Sequence, residues 1–114
     1  MKTFPITNYN QFPENFYFHN VVNKIIKIGN LKKTKKVILD FGCGNKIFTK
    51  KLPHNKILNY DINPNITEIK DYKNYKFDII ILNHVLMHMK KNQIKKLFSN
   101  LKKKNPKLLF LIGI

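Results

Sequence analysis

The chain has no arginine, one cysteine and six acidic residues among 114. Without arginine there is no guanidinium fork for bidentate reading of bases or carboxylates. A single cysteine excludes an intrachain disulfide and fits a reducing compartment, so a cytoplasmic location is expected. No apolar run approaches the roughly 18 residues a membrane span needs. Met1-Lys2-Thr3-Phe4-Pro5 has no apolar core of a secretory signal. The shortage of acids is set against 22 lysines, giving a formal net charge of +16. An AT-rich coding sequence explains lysine over arginine, but not the scarcity of acids. The excess is expected to give weak, salt-sensitive, non-specific binding to nucleic acid. The length suits one domain with a real core.

The acids that remain gather in one region, with Asp40, Asp61, Asp71 and Asp78. The chain is organised around Val37-Ile38-Leu39-Asp40-Phe41-Gly42-Cys43-Gly44-Asn45. Apolar residues on both faces predict a buried parallel strand. An acid ends it, and two glycines let the backbone turn sharply and approach a ligand. Lys46–Leu52 then reads as a short helix whose free N–H groups face the turn. Strand, glycine turn and helix start form a small-molecule site at the top of an open α/β sheet.

Residues 1–13 read as an irregular N-terminal segment and 14–114 as one α/β domain. From Glu14, Phe18, Val21, Val22, Ile25 and Ile26 repeat at helical spacing, up to a stop at Gly29-Asn30. Strands are expected at about 36–41, 56–61, 67–70, 77–82 and 108–112. A helix carrying Ile94, Leu97, Phe98 and Leu101 precedes the last. Alternating strands and helices argue for a parallel sheet with right-handed crossovers.

Asp40-Phe41-Gly42-Cys43-Gly44 resembles motif I of the class I S-adenosylmethionine-dependent methyltransferases, with Lys46 in place of the third glycine. Asn59-Tyr60-Asp61 resembles the acid ending that family's second strand. Phe77 to His88 resembles its fourth strand and the helix after it. The resemblance implies a Rossmann-like, open, mostly parallel sheet of about five strands in the order 3-2-1-4-5, with helices on both faces. It lacks the usual last two strands. That leaves strand 108–112 at an open edge, with self-association or a partner chain expected there.

The resemblance also implies S-adenosyl-L-methionine as cofactor, held by Asp40, Gly42, Cys43, Gly44, Asp61, Ile62, Asp71 and Asn83. Asp40 would face the ammonium, Asp61 the ribose, and Asp71 the adenine. Asn83 and His84 would flank the methyl-transfer position. His84 or His88 is the candidate base, although packing is the commoner role for His88. A dinucleotide site is disfavoured, because Ile47 stands where its third glycine belongs and an acid repels a pyrophosphate. His84 and His88 lack the glutamate of the zinc-protease pattern, so no metal is expected. Cys43 has no activating partner and reads as a small packing residue. The aromatic cluster Tyr9, Phe12, Phe16, Tyr17 and Phe18 reads as core or as a lid.

Three functions remain open on the sequence alone. The chain methylates a small-molecule acceptor, or it is a truncated or split methyltransferase fold that binds cofactor or partner without activity alone. The third is a lysine-rich methyltransferase directed at RNA. Asn83 is followed by His84-Val85-Leu86, not by the Pro-Pro-aromatic triplet that resembles enzymes methylating exocyclic base nitrogens.

Overall fold

The computed structural model describes residues 14–113, with side chains from residue 19 onward. The N-terminal segment and the aromatic cluster from Tyr9 to Phe18 lie outside these described side chains. Three helices, α1 (Glu14–Ile28), α2 (Ile47–Lys51) and α3 (Lys91–Lys104), alternate with four strands. The strands are β1 (Ile38–Phe41), β2 (Ile57–Tyr60), β3 (Ile79–Asn83) and β4 (Leu109–Gly113). They form one sheet in the order β2-β1-β3-β4, and every pairing is parallel.

Strand alternation sorts the core into two layers. Ile38, Ile79, Ile81 and Leu111 face α1 and α2, packing with Val22, Ile25, Ile26 and Phe48. Leu39, Ile80, Leu82 and Leu108 face α3, packing with Leu97 and Leu101. Ile80 is fully buried in β3, and Ile80→Ala would cost about 2–5 kcal/mol.

The stop expected at Gly29-Asn30 is a Schellman ending. Asn30 takes a left-handed φ of 52°. Its N–H donates to Lys27 O at 3.1 Å, and the Leu31 N–H donates to Ile26 O at 2.9 Å. Gly29 lets α1 approach the sheet, since a Cβ there would come 2.6 Å from Leu111 Cδ1.

The expected strand at 67–70 is absent. Only the short stretch from Asp61 to Ile66 separates it from β2, whereas a parallel neighbour needs a crossover of roughly a dozen residues. Instead the segment turns across the edge of β2 at one point. The N–H groups of Glu68 and Ile69 both donate to Asn59 O, at 2.9 and 3.3 Å. The other four expected strands are present in the expected relative order. β3 reaches Asn83, one residue beyond the strand end expected at 82. The β4 edge carries exposed Leu109 and Ile112. No helix among the described residues is long and apolar enough to cross a membrane.

Candidate functional site

In the sheet order the chain leaves β1 toward β2 on one side, and β3 lies on the other. The crevice above β1 and β3 is therefore the topological switch point, where open α/β sheets take ligands. Asp40 on β1 and Asn83 on β3 fall in the same alternation as Ile38 and Ile81, so both point to the α1 side.

Both are buried, at 2% and 7% exposure. Asp40 Oδ2 and both Asn83 amide atoms have no hydrogen-bond partner. Such orphaned polar atoms cost about 1–3 kcal/mol each, which makes this crevice the candidate ligand site. Burial, and secondarily the Asp61 carboxylate, push the Asp40 carboxyl up to about 7.

The glycine turn after β1 is tied down. Gly42 and Cys43 N–H both donate to Tyr60 O, at 2.8 and 3.0 Å. Gly42 has a φ of 87°, and a Cβ there would strike Val85. Gly44 has a φ of 51° with nothing within 4 Å of where a Cβ would stand, which leaves room for close approach. Its N–H donates to Asp61 Oδ2 at 3.0 Å. The N–H groups of residues 42 to 44 therefore serve the turn itself rather than standing free for a ligand.

Asp61, 6% exposed, holds two turns together. Its other oxygen accepts from Asn63 N–H at 3.0 Å. Thr67 Oγ1 accepts from the Asp61 N–H at 3.0 Å. Ile62 follows, half-buried. Lys46 takes the left-handed conformation that begins α2, with φ 62°. Its ammonium lies 3.4 Å from Glu68 Oε2. Glu68 Oε1 accepts from buried Asn59 Nδ2 at 2.7 Å, which in turn contacts Thr49 Oγ1 at 2.9 Å. The Asn59 hydrogen bond is the leading cause that lowers the Glu68 carboxyl.

His84 has a left-handed φ of 58°, fixed by its N–H donating to Gly113 O at 3.1 Å. Burial and then His88 lower its imidazole below the usual range, so it is neutral near pH 7. His88 ends a 3-10 turn at Leu86–His88. Burial, then Asp40 and Asp61, push the Cys43 thiol up to about 12, consistent with packing rather than nucleophilic chemistry.

Asp71 does not stand at a strand end. It caps a 3-10 turn, Tyr72–Asn74, by accepting from Lys73 N–H at 3.0 Å. Behind it Phe41, Tyr60 and Tyr72 cluster at 5.0–5.2 Å between centroids, tilted or edge-on to one another, on the α3 side of the sheet. Sequence reasoning misses this trio and the Thr49-Asn59-Glu68 network. An asparagine at an inward position of an apolar strand is the available signal for the latter. No group of three metal-ligating side chains occurs among the described residues.

The chain is thus an α/β protein with an open parallel sheet, a glycine turn and the buried Asp40 at its switch point. A family model described as "Methyltransferase domain" matches residues 14–112, and the chain belongs to that family. Neither a curated protein nor a solved structure matches it.

Proposed function

We propose that the chain is a methyltransferase that uses S-adenosyl-L-methionine to methylate a small-molecule acceptor. The observation that carries this reading is Asp40, a buried acid at the switch point with an unpartnered oxygen. A cation fits that atom, and a pyrophosphate does not. When bound, the cofactor supplies an activated methyl group.

This chain's own residues do the rest. Asp40 faces the ammonium, and Gly44 gives the ligand room. Asp61 retains lone pairs for ribose hydroxyls while it holds the glycine turn. Asp71 and Ile62 border the adenine side. Asn83 offers an amide to the acceptor or the cofactor. Methyl transfer is mainly a matter of holding the nucleophile close and in line. A base is needed where the acceptor is a weak acid, and neutral His84 suits that role.

Thermal shift titrations test the proposal. S-adenosylmethionine and its demethylated product are expected to raise the melting temperature, because both bind the folded state. Stabilisation by NAD with none by either sulfur compound would overturn it.

A second reading keeps the cofactor but denies the chain activity alone. It is favoured by the β4 edge, where Leu109 and Ile112 are 45% and 43% exposed. Cofactor binding without turnover on any acceptor, until a partner is added, would favour it.

A further inference from the structure

Each strand of the sheet is entered past a lysine. Lys56 directly precedes β2, Lys36 and Lys107 stand just before β1 and β4, and Lys76 comes shortly before β3. All four are exposed. In an antiparallel sheet such residues would divide between two ends. Here every pairing is parallel, so the four cations collect on one side, in the order Lys56, Lys36, Lys76, Lys107. With strands about 4.8 Å apart, the row spans roughly 14 Å.

The surface is concave at Lys36, Lys76 and Lys107, and Lys56 continues the row beyond the hollows. A hollow of about 380 Å³ is lined by Lys33, Lys36 and Lys107. Another, of about 260 Å³, is lined by Lys76 and Lys104, and the two share Asp78 and Asn105. A third, of about 470 Å³, brings Lys27 and Lys32 and shares Asn30 and Lys33 with the first. The three hollows adjoin one another at these shared residues and are together termed the trough. Lys104 is anchored in it, donating to Lys73 O at 2.7 Å and standing 5.8 Å over the Phe77 ring. Asp78 is the one acid lining these hollows, and its carboxylate accepts from Val37 N–H at 3.3 Å.

We propose that this trough, at the opposite end of the sheet from Asp40, binds the phosphodiester backbone of a single-stranded nucleic acid. The ligand must be a polyanion, because the cations form a row. It must be narrow and flexible, because the surface is concave, whereas a bilayer meets a flat or convex patch. With no arginine in the chain, the contacts are to phosphate and carry little sequence preference. The proposal stands apart from the methyl-transfer reading and shares no residue with that site.

The test is binding of a fluorescent 20-nucleotide oligouridylate over a range of salt. Neutralising four phosphates of a single strand gives a slope of log affinity against log salt of roughly −3. A variant carrying Lys36→Gln, Lys56→Gln, Lys76→Gln and Lys107→Gln is expected to lose about that slope and at least roughly tenfold in affinity at low salt. A variant of equal charge on α3, with Lys91, Lys95, Lys96 and Lys103 changed to Gln, should bind within roughly twofold of wild type. Equal losses in the two variants would mean that total charge, not the trough, does the binding, and would overturn the proposal. So would no binding at low salt, or tighter capture by phosphatidylserine vesicles than by the oligonucleotide. Acetylation footprinting of the wild-type protein gives a check without mutation. Bound oligonucleotide should protect Lys36, Lys76 and Lys107 but not Lys95 or Lys96, and uniform protection would also overturn the proposal. Unchanged response to S-adenosylmethionine in the trough variant separates this outcome from failure of the methyltransferase reading.

Discussion

The two ends of the sheet are built on opposite principles. At the carboxyl end of the strands, acids are buried and oriented by backbone N–H groups or left without partners, as Asp61 and Asp40 are. At the amino end, lysines stand in water, and of the trough lysines named above Lys104 is the one that is anchored. One end invests stability in a few fixed groups. The other keeps many exposed charges that cost almost nothing to display.

The sharpest way to break this contrast is at Asp40. Asp40→Asn removes the charge and keeps the shape. It should weaken S-adenosylmethionine binding by roughly tenfold to a hundredfold, the worth of a charge-assisted hydrogen bond. The same change should stabilise the free protein, with a defined sign. The folded carboxyl titrates at about 7, against an ordinary value of 3.8. Between those values the folded chain holds a proton that the unfolded chain has released. The stability contributed by that proton is complete below 3.8 and is lost as pH rises through about 7. The melting-temperature advantage of the variant over wild type should therefore grow from pH 5 to pH 8. A variant that melts lower at pH 8 would show that Asp40 is a structural acid.

Asp61 comes next. Asp61→Ala leaves the N–H groups of Gly44 and Asn63 without their acceptor. Each such loss costs about 1–3 kcal/mol when buried, so denaturation should come several degrees earlier, with weaker cofactor binding. Asp78→Ala, at the amino end, should leave cofactor affinity nearly unchanged in calorimetry. Equal loss at the two positions would put the site at the wrong end of the sheet.

A smaller effect is expected at the β4 edge. The wild-type chain should self-associate at high concentration, and Leu109→Lys with Ile112→Lys should shift light scattering toward monomer, since edge charges block strand pairing. Smallest is Lys46→Ala. The pair with Glu68 is 32% and 52% exposed, and pairs that open to water contribute about 0–1 kcal/mol. A loss above that range in chemical denaturation would mean that Lys46 also secures the glycine turn.

Much of this molecule is legible in the sequence, where local rules and burial agree. The greasy runs at Ile38 and Ile79 are strands because they are buried on both faces. Gly29-Asn30 ends α1 because only such residues take the left-handed turn cheaply. The segment 67–70 misleads because Thr67-Glu68-Ile69 has strand-like composition, while chain length decides whether a parallel neighbour can form. Asp40 is identifiable from motif spacing, but that its Oδ2 is buried without a partner emerges only once the chain is folded. A ligand is the expected source of donors to Asp61, yet Gly44 and Asn63 supply two of them. The lysines at the strand starts are invisible as a row, because they are some twenty to thirty residues apart.

The parallel sheet also governs how the chain can be made. β1 pairs with β3 across 41 positions, Ile38 against Ile79, and α1 packs on β4 through Leu111. The earliest helix thus rests on the latest strand described. During synthesis neither core layer can close until Leu108 to Leu111 have left the ribosome. Until then the faces of Ile79 and Ile80 lie open, with contacts too distant in sequence to form quickly. The nascent chain is therefore expected to stay exposed to chaperones and proteases until nearly its whole described length has emerged.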